Sequence, residues 1–378
     1  MDFGAAVELY YQSRTGCPVH GVVHLSDEKD KPPKLGIDEK AFERILNSVQ
    51  KDNKFVNQDL FSHSYRHFEK AVTQVMNSEK DLDRKFKYIK ALQNTARFSA
   101  YKTAHQVYEL RMLNPKDKDY HKKAQSINNK YNNVWLNTEY VHTVRSARSI
   151  KKWQQYQADK DLYPYLEYRP SRAAEPRNEH KKLYGVIKPV DDKFWDTWMP
   201  PSDWGCKCSV RQVRSNNNAK EPPQNIKKPP AAIRNNPGKN GIIFTDSHPM
   251  IKRLSKTAKE QIENEFRNIF RKYVEFRLKS NLKNKSFKTK DNLYVKISSN
   301  SIRKISSDDA NNEIKLIINN NLPKLLKSAK FVKEEKTNKP ARTNIQSVRI
   351  YEDNYFIYYI WILKGGENIL HSIKWKKR

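Results

Sequence analysis

Two adjoining stretches decide the fold: WLNTEYVHTVRSARSIKKWQQYQADKDLYPYLEYRP at 135–170 and EPRNEHKKLYGVIKPVDDKFWDTWMPPSDWGCKCSV at 175–210. From Ala124 to Gln157 neither glycine nor proline interrupts the chain, and apolar side chains recur among Lys and Arg at helical spacing. From Tyr163 to Val213 the texture changes to short extended pieces, turns and aromatics. Pro200 and Pro201 bring no backbone donor, so no helix can run through them. The expectation is a helix that ends in a compact irregular module, with its tryptophans and prolines forming a rigid aromatic knot.

Working outward, the helical spacing extends back to Asp38. It is carried by Phe42, Ile45, Leu46 and Val49, then by Phe68, Val72, Val75 and Met76, with a further helix over 82–113. The reading is an all-helical bundle over 38–160, closed by the module at 163–213. Residues 214–240 are rich in Asn, Pro and Lys, and Pro222, Pro223, Pro229 and Pro230 favour an extended linker there. Beyond it, 241–378 reads as a basic α+β domain with an antiparallel sheet. A helical region spans 248–277, strands are signalled at Leu293, Val295 and Ile297, at Val348 and Ile350, over 356–362 and over 369–375, and a helix over 310–329 should be interrupted by Pro323.

The 378 residues suit two or three domains, and an aromatic content of 11% argues against a wholly disordered chain. With 73 Lys and Arg against 42 Asp and Glu, the formal charge of +31 calls for a polyanion partner, such as packaged DNA or host RNA. Residues 251–290 alone carry 13 Lys and Arg against 4 Glu, and should bind nucleic acid with a steep salt dependence. Three cysteines cannot build a disulfide framework and no leader pattern opens the chain, so the sequence reads as intracellular. Its longest apolar runs, such as 355–363, are too short to span a membrane.

The segment 135–213 resembles the phage Mu F-like head-morphogenesis family. The likeness is carried by Arg177 with His180, Gly185, Asp192 with Phe194 and Trp195, Pro200 with Pro201, then Trp204, Cys206, Cys208 and Val210. Lys207 stands where Arg is common in the family, which keeps the charge but loses the bidentate fork. The resemblance reaches back more loosely to residue 1, giving a head domain over 1–213. It implies a minor head protein of a phage or prophage, held in the virion inside the capsid or at the portal vertex, with portal and capsid proteins as partners. The motif also offers metal chemistry: His180, Cys206 and Cys208 are a zinc-type ligand set, and Cys17 and His20 are candidates to complete it. The alternative is that these are reduced cysteines buried as small apolar side chains. No cofactor is required, and a structural zinc is the one candidate.

The passage NPGKNGIIFTDSHPM at 236–250 is one that often continues from the head module in relatives. The last third resembles, as a pattern of elements, the barnase, EndoU, colicin and RelE-like nuclease domains appended to phage head proteins. That implies a metal-independent ribonuclease or toxin domain, possessing in some cases an immunity protein. His371 is the candidate acid or base, Lys304 and Arg342 the phosphate holders, and Tyr358 the residue that orients or stacks on a base. The competing reading is an inert basic domain that neutralises packaged DNA; convergence of His371, Lys304 and Arg342 discriminates the two. An ADP-ribosyltransferase tail needs an acidic pair on a strand, whereas Glu334 and Glu335 read as part of a Lys-rich loop.

Overall fold

The computed structural model describes residues 32–34, 36–79, 81–307, 312–336 and 344–376. The chain divides into two compact units, which meet between Phe266 and Arg267. The first is mainly helical, and the second is built on a sheet.

The first unit opens with α1 (Glu39–Lys51), α2 (Gln58–Met76) and α3 (Leu82–Arg111). Each is started by a polar side chain that satisfies otherwise orphaned amides: Asp38 accepts from Ala41 N at 2.9 Å, Asn57 from Asp59 N and Leu60 N, and Asp81 from Arg84 N. Next come α4 (Tyr120–Asn129), a widened π-helical turn (Lys130–Trp135) and α5 (Leu136–Ala158). The apolar faces read from the sequence are the ones buried: Phe42 and Leu46 of α1, and Phe68 and Val72 of α2, are at most 2% exposed.

The module after α5 is less irregular than its composition suggests. It contains β1 (Tyr165–Arg169), α6 (Asn178–Lys181), β2 (Ile187–Pro189), α7 (Phe194–Trp198) and β3 (Ser209–Val213). The strands form an antiparallel sheet in the order β2-β1-β3, with Leu166 opposite both Lys188 and Gln212. Trp153 and Tyr156 of α5 pack with Leu166, Tyr168, Trp195 and Trp198, so the knot joins the sheet to the end of the helix.

The Pro-rich stretch departs from the expectation of a linker ending at 240. Ala232, Ile233, Pro237 and Gly238 are buried, and the chain from a 3-10 turn (Ala231–Ile233) through α8 (Pro237–Asn240) to α9 (Pro249–Lys252) docks on the helices. The reason is local. Asn94 of α3 accepts from Ile243 N at 2.9 Å and Phe244 N at 2.8 Å, and donates back to Phe244 O at 2.8 Å. Phe244 then stacks on Phe98, ring centroids 4.0 Å apart. Gly238 lies so close to α5 that a Cβ there would stand 2.2 Å from the Cβ of Trp153. Proline has prevented a long helix without producing a spacer.

α10 (Lys256–Leu282) contains the boundary, and Glu265 on its first half accepts from Phe55 N and Val56 N. The second unit continues with β4 (Ser286–Lys288), β5 (Tyr294–Lys296), α11 (Ser299–Ser307), α12 (Asn312–Ser328), β6 (Lys330–Lys336), β7 (Ile345–Glu352), β8 (Phe356–Leu363) and β9 (Asn368–Trp375). The sheet order is β4-β5-β9-β8-β7-β6. It is mixed rather than purely antiparallel, because β5 and β9 run parallel at Lys296 and Ile369.

Two local readings are corrected. Pro323 lies inside α12 without ending it. Its cost of about 3 kcal/mol is offset by the burial of Ile318, Leu322, Leu325 and Leu326 along the same helix. Glu334 and Glu335 lie on β6 rather than in a loop, paired with Arg349 and Val348 of β7.

Candidate functional site

The module brings His180, Cys206 and Cys208 together. His180 sits on α6, whose first turn is fixed by His180 N donating to Arg177 O at 3.0 Å. The two cysteines lie in the turn that leads into β3, where Cys206 N donates to Asp203 O at 3.0 Å. Arg177 links the two segments, donating to Trp204 O at 2.7 Å and lying 3.4 Å from Asp203 Oδ2. His180 and Cys206 are each 4% exposed.

Nδ1 of His180 lies 3.6 Å from Cys206 Sγ and 3.4 Å from Cys208 Sγ. Tetrahedral zinc, with bonds of about 2.0–2.1 Å to nitrogen and about 2.3 Å to sulfur, sets such atoms about 3.6 Å apart. The two nitrogen–sulfur edges therefore match those of a zinc site, and all three ligand atoms lie within 4.8 Å of one another. Among the described residues this group supplies three ligands. Cys17 and His20 lie outside the described residues.

The electrostatics suit a cation as well. Hydrogen bonding from Cys208 and from His180 holds the Cys206 thiol well below its ordinary value, against the opposing effect of burial. The neighbouring Cys206 thiolate pushes Cys208 up. Burial opposes protonation of His180, but the hydrogen bond and charge of Cys206, together with Asp203, raise it overall. A sulfur anion is thus already favoured beside an imidazole, which is what a soft metal requires.

In the second unit, Lys304 of α11 meets His371 of β9, with Lys304 Nζ 2.6 Å from His371 Nε2. An ammonium can only donate, so the imidazole accepts at Nε2 in this arrangement. The His371 ring lies on Trp361 of β8, with centroids 3.7 Å apart and planes 17° from parallel, and Lys304 Nζ stands 5.9 Å from the centre of the same ring. A β-bulge presents the histidine. Tyr359 pairs with Ser372 and Ile360 with Leu370, which leaves His371 without an opposite residue.

Of the remaining sequence candidates, Arg342 lies outside the described residues. Tyr358 is misassigned as a base-stacking group. It is fully buried, donates to Asp353 Oδ2 at 2.6 Å, and lies on the other face of β8 from Trp361 by the two-residue alternation of a strand. Trp361 was missed because nothing in its strand of aromatics marks the face that meets a bulge.

Comparison with known proteins bears on the first of these sites. Residues 63–211 match the family described as Phage Mu protein F like protein. This stretch is similar to Mu F-like proteins. It contains α3, α4, α5, β1, β2, the first part of β3 and the whole His180–Cys206–Cys208 triangle. Over 78 residues, 21% of its length, the chain is 37% identical to "Putative capsid assembly protein F" of Escherichia phage Mu, and over 78 residues 35% identical to the Mu-like prophage FluMu F protein of Haemophilus influenzae. The chain spans only 18% of the length of each of these relatives. Residues 265–377 match the family described as Large polyvalent protein-associated domain 3. No solved structure matches the chain. Among the described residues, no helix is long and apolar enough to cross a membrane.

Proposed function

We propose that the chain is a phage or prophage head protein that acts in capsid assembly through its Mu F-like domain, with portal and capsid proteins as its partners. The observation that carries this reading is the match of residues 63–211, which runs from within α2 to within β3 and takes in most of the helices and of the module. Heads assembled with a chain lacking 135–213 should contain none of the protein by mass spectrometry, whereas a chain lacking 267–378 should still enter. Normal entry of the first and loss of the second would assign assembly to the other unit.

The role proposed for His180, Cys206 and Cys208 is a structural zinc that pins α6 to the turn before β3. The near-tetrahedral edges support it. Elemental analysis of folded protein never exposed to chelator should find about one zinc per chain. Less than about a tenth of an equivalent leaves the alternative, in which reduced cysteines are buried as small apolar side chains.

A second reading, favoured by the meeting of Lys304 with His371, is that the basic C-terminal unit cleaves RNA without metal. The proton of a ribose 2′-OH passes to a base, O2′ bonds to phosphorus, and the 5′ oxygen leaves with a proton from an acid. His371 exchanges one of these protons, Lys304 holds the phosphate, and Trp361 replaces Tyr358 as the aromatic surface. The full chain should then yield cyclic phosphate ends in the presence of chelator, and His371→Ala should lose roughly 10²-fold in rate. Lys304→Ala should weaken both RNA binding and turnover. An absence of cleavage, or a rate unchanged in His371→Ala, supports instead a domain that neutralises packaged DNA.

A further inference from the structure

A cavity of about 220 Å³ is lined on one side by Cys206 and Cys208. Its walls carry Arg145, Arg148, Lys152, Arg172 and Lys207, and among the described residues no Asp or Glu lines it. Arg145, Arg148 and Lys152 come from α5 at spacings of three and four residues, so they project from one face of the helix. Arg172 and Lys207 come from two loops joined by Arg172 N donating to Lys207 O at 3.2 Å. Three separate segments therefore aim cations into one concavity.

This arrangement works against the stability of the empty pocket. Like charges four residues apart on a helix, as at Arg148 and Lys152, repel. The crowding of protein around Lys152, followed by the charges of Arg172 and Arg148, pushes its ammonium below the ordinary value, although the side chain keeps contact with solvent. Arg145 is fixed at the pocket wall by donating to Gly205 O at 2.9 Å and Cys206 O at 3.0 Å. A guanidinium tied to the backbone on one side is oriented in advance for an anion on the other.

We infer that this pocket of the Mu F-like domain is a binding site for a phosphate group, held by Arg145, Arg148, Lys152, Arg172 and Lys207. Its size admits a single phosphate, and a phosphate of a nucleic-acid backbone offers the same chemistry as the free ion. The site is built from residues of the first unit, and Cys206 and Cys208 form part of its wall.

Calorimetric titration of the full chain with inorganic phosphate, and separately with a short single-stranded oligothymidylate, tests the inference at constant ionic strength. Lys152→Gln and Arg172→Gln alter side chains that keep contact with solvent, and Lys122→Gln on α4 removes an equal charge elsewhere. Saturable binding should be weakened about tenfold or more by each of the first two and left unchanged by the third. In chloride alone, Lys152→Gln should melt above the wild type, because it relieves repulsion in the empty pocket. Binding of free phosphate identifies the ion as a sufficient ligand; binding of the oligothymidylate alone identifies the backbone. Titration of both without saturation, or equal effects of all three substitutions, overturns the proposal.

Discussion

Two ion pairs show how differently the units treat charge. In the first unit Lys102 and Glu139 bond each other with both side chains fully excluded from water. In the second, Arg349 meets Glu334 at 2.8 Å with about a third of each side chain still in solvent. The buried pair bridges α3 and α5, and each partner there is tolerable only because the other is present. The surface pair links β7 to the edge strand β6, where water can replace either partner. The same contrast holds for histidine. His142 and His248 are sealed among Trp204, Phe98 and Phe244, whereas His371 lies on a sheet face beside a lysine. These groups of the first unit serve as internal parts, whereas Arg349, Glu334 and His371 of the second keep contact with solvent.

The sharpest way to break the contrast is to orphan one partner in each unit. Glu139→Leu should cost about 3 to 5 kcal/mol in urea unfolding, and the double replacement Lys102→Met with Glu139→Leu should recover most of it. If the single and double variants are equally unstable, the pair is not held by mutual neutralisation. Acid gives the next largest effect. Burial lowers His142 and His248 from about 6.5 to about 3, so unfolding takes up protons below pH 6.5. Stability is therefore complete above pH 6.5 and falls as pH drops toward 3, at about 1.4 kcal/mol per pH unit for each histidine, or about 3 kcal/mol by pH 5.5. Replacing both with Phe or Leu should flatten that slope in pH-dependent melts.

Gly238→Ala should follow, losing about 1 to 3 kcal/mol through the collision with Trp153. A neutral result would mean that residues 231–250 can leave the helices without cost. Smallest of all, Glu334→Gln should change stability by less than about 1 kcal/mol and by less still in high salt.

What could be read beforehand follows the same division. The helices of the first unit were legible because their apolar faces keep one period over several turns and their caps are Asp and Asn, as at Asp38 and Asn57. The metal-type triangle was legible as ligand chemistry within one motif. Its distances were not, because they depend on a turn closed by Arg177 and Asp203 across a long chain separation. β6 could not be seen, since all seven of its residues are exposed and its Lys and Glu follow no alternation. The docking of 231–250 was hidden for another reason: Asn94, which fastens it, looks like any polar residue on a helix. Tyr358 was misplaced because β8 is apolar on both faces, and a pattern without contrast does not say which side faces inward.

The bulge in β9 makes His371 a removable letter in the chain. Leu370 shares a face with Ile360, and Ile373 shares that same face with Tyr358, yet the two β9 residues are three apart, an odd spacing that a regular strand does not permit. Excising His371 alone would bring Leu370 next to Ser372 and restore strict alternation along the whole strand, with every other cross-strand partner kept. The ladder thus has no need of this residue. Its presence interrupts an otherwise regular grammar, and deletion, rather than substitution, separates what the imidazole does from what the sheet requires.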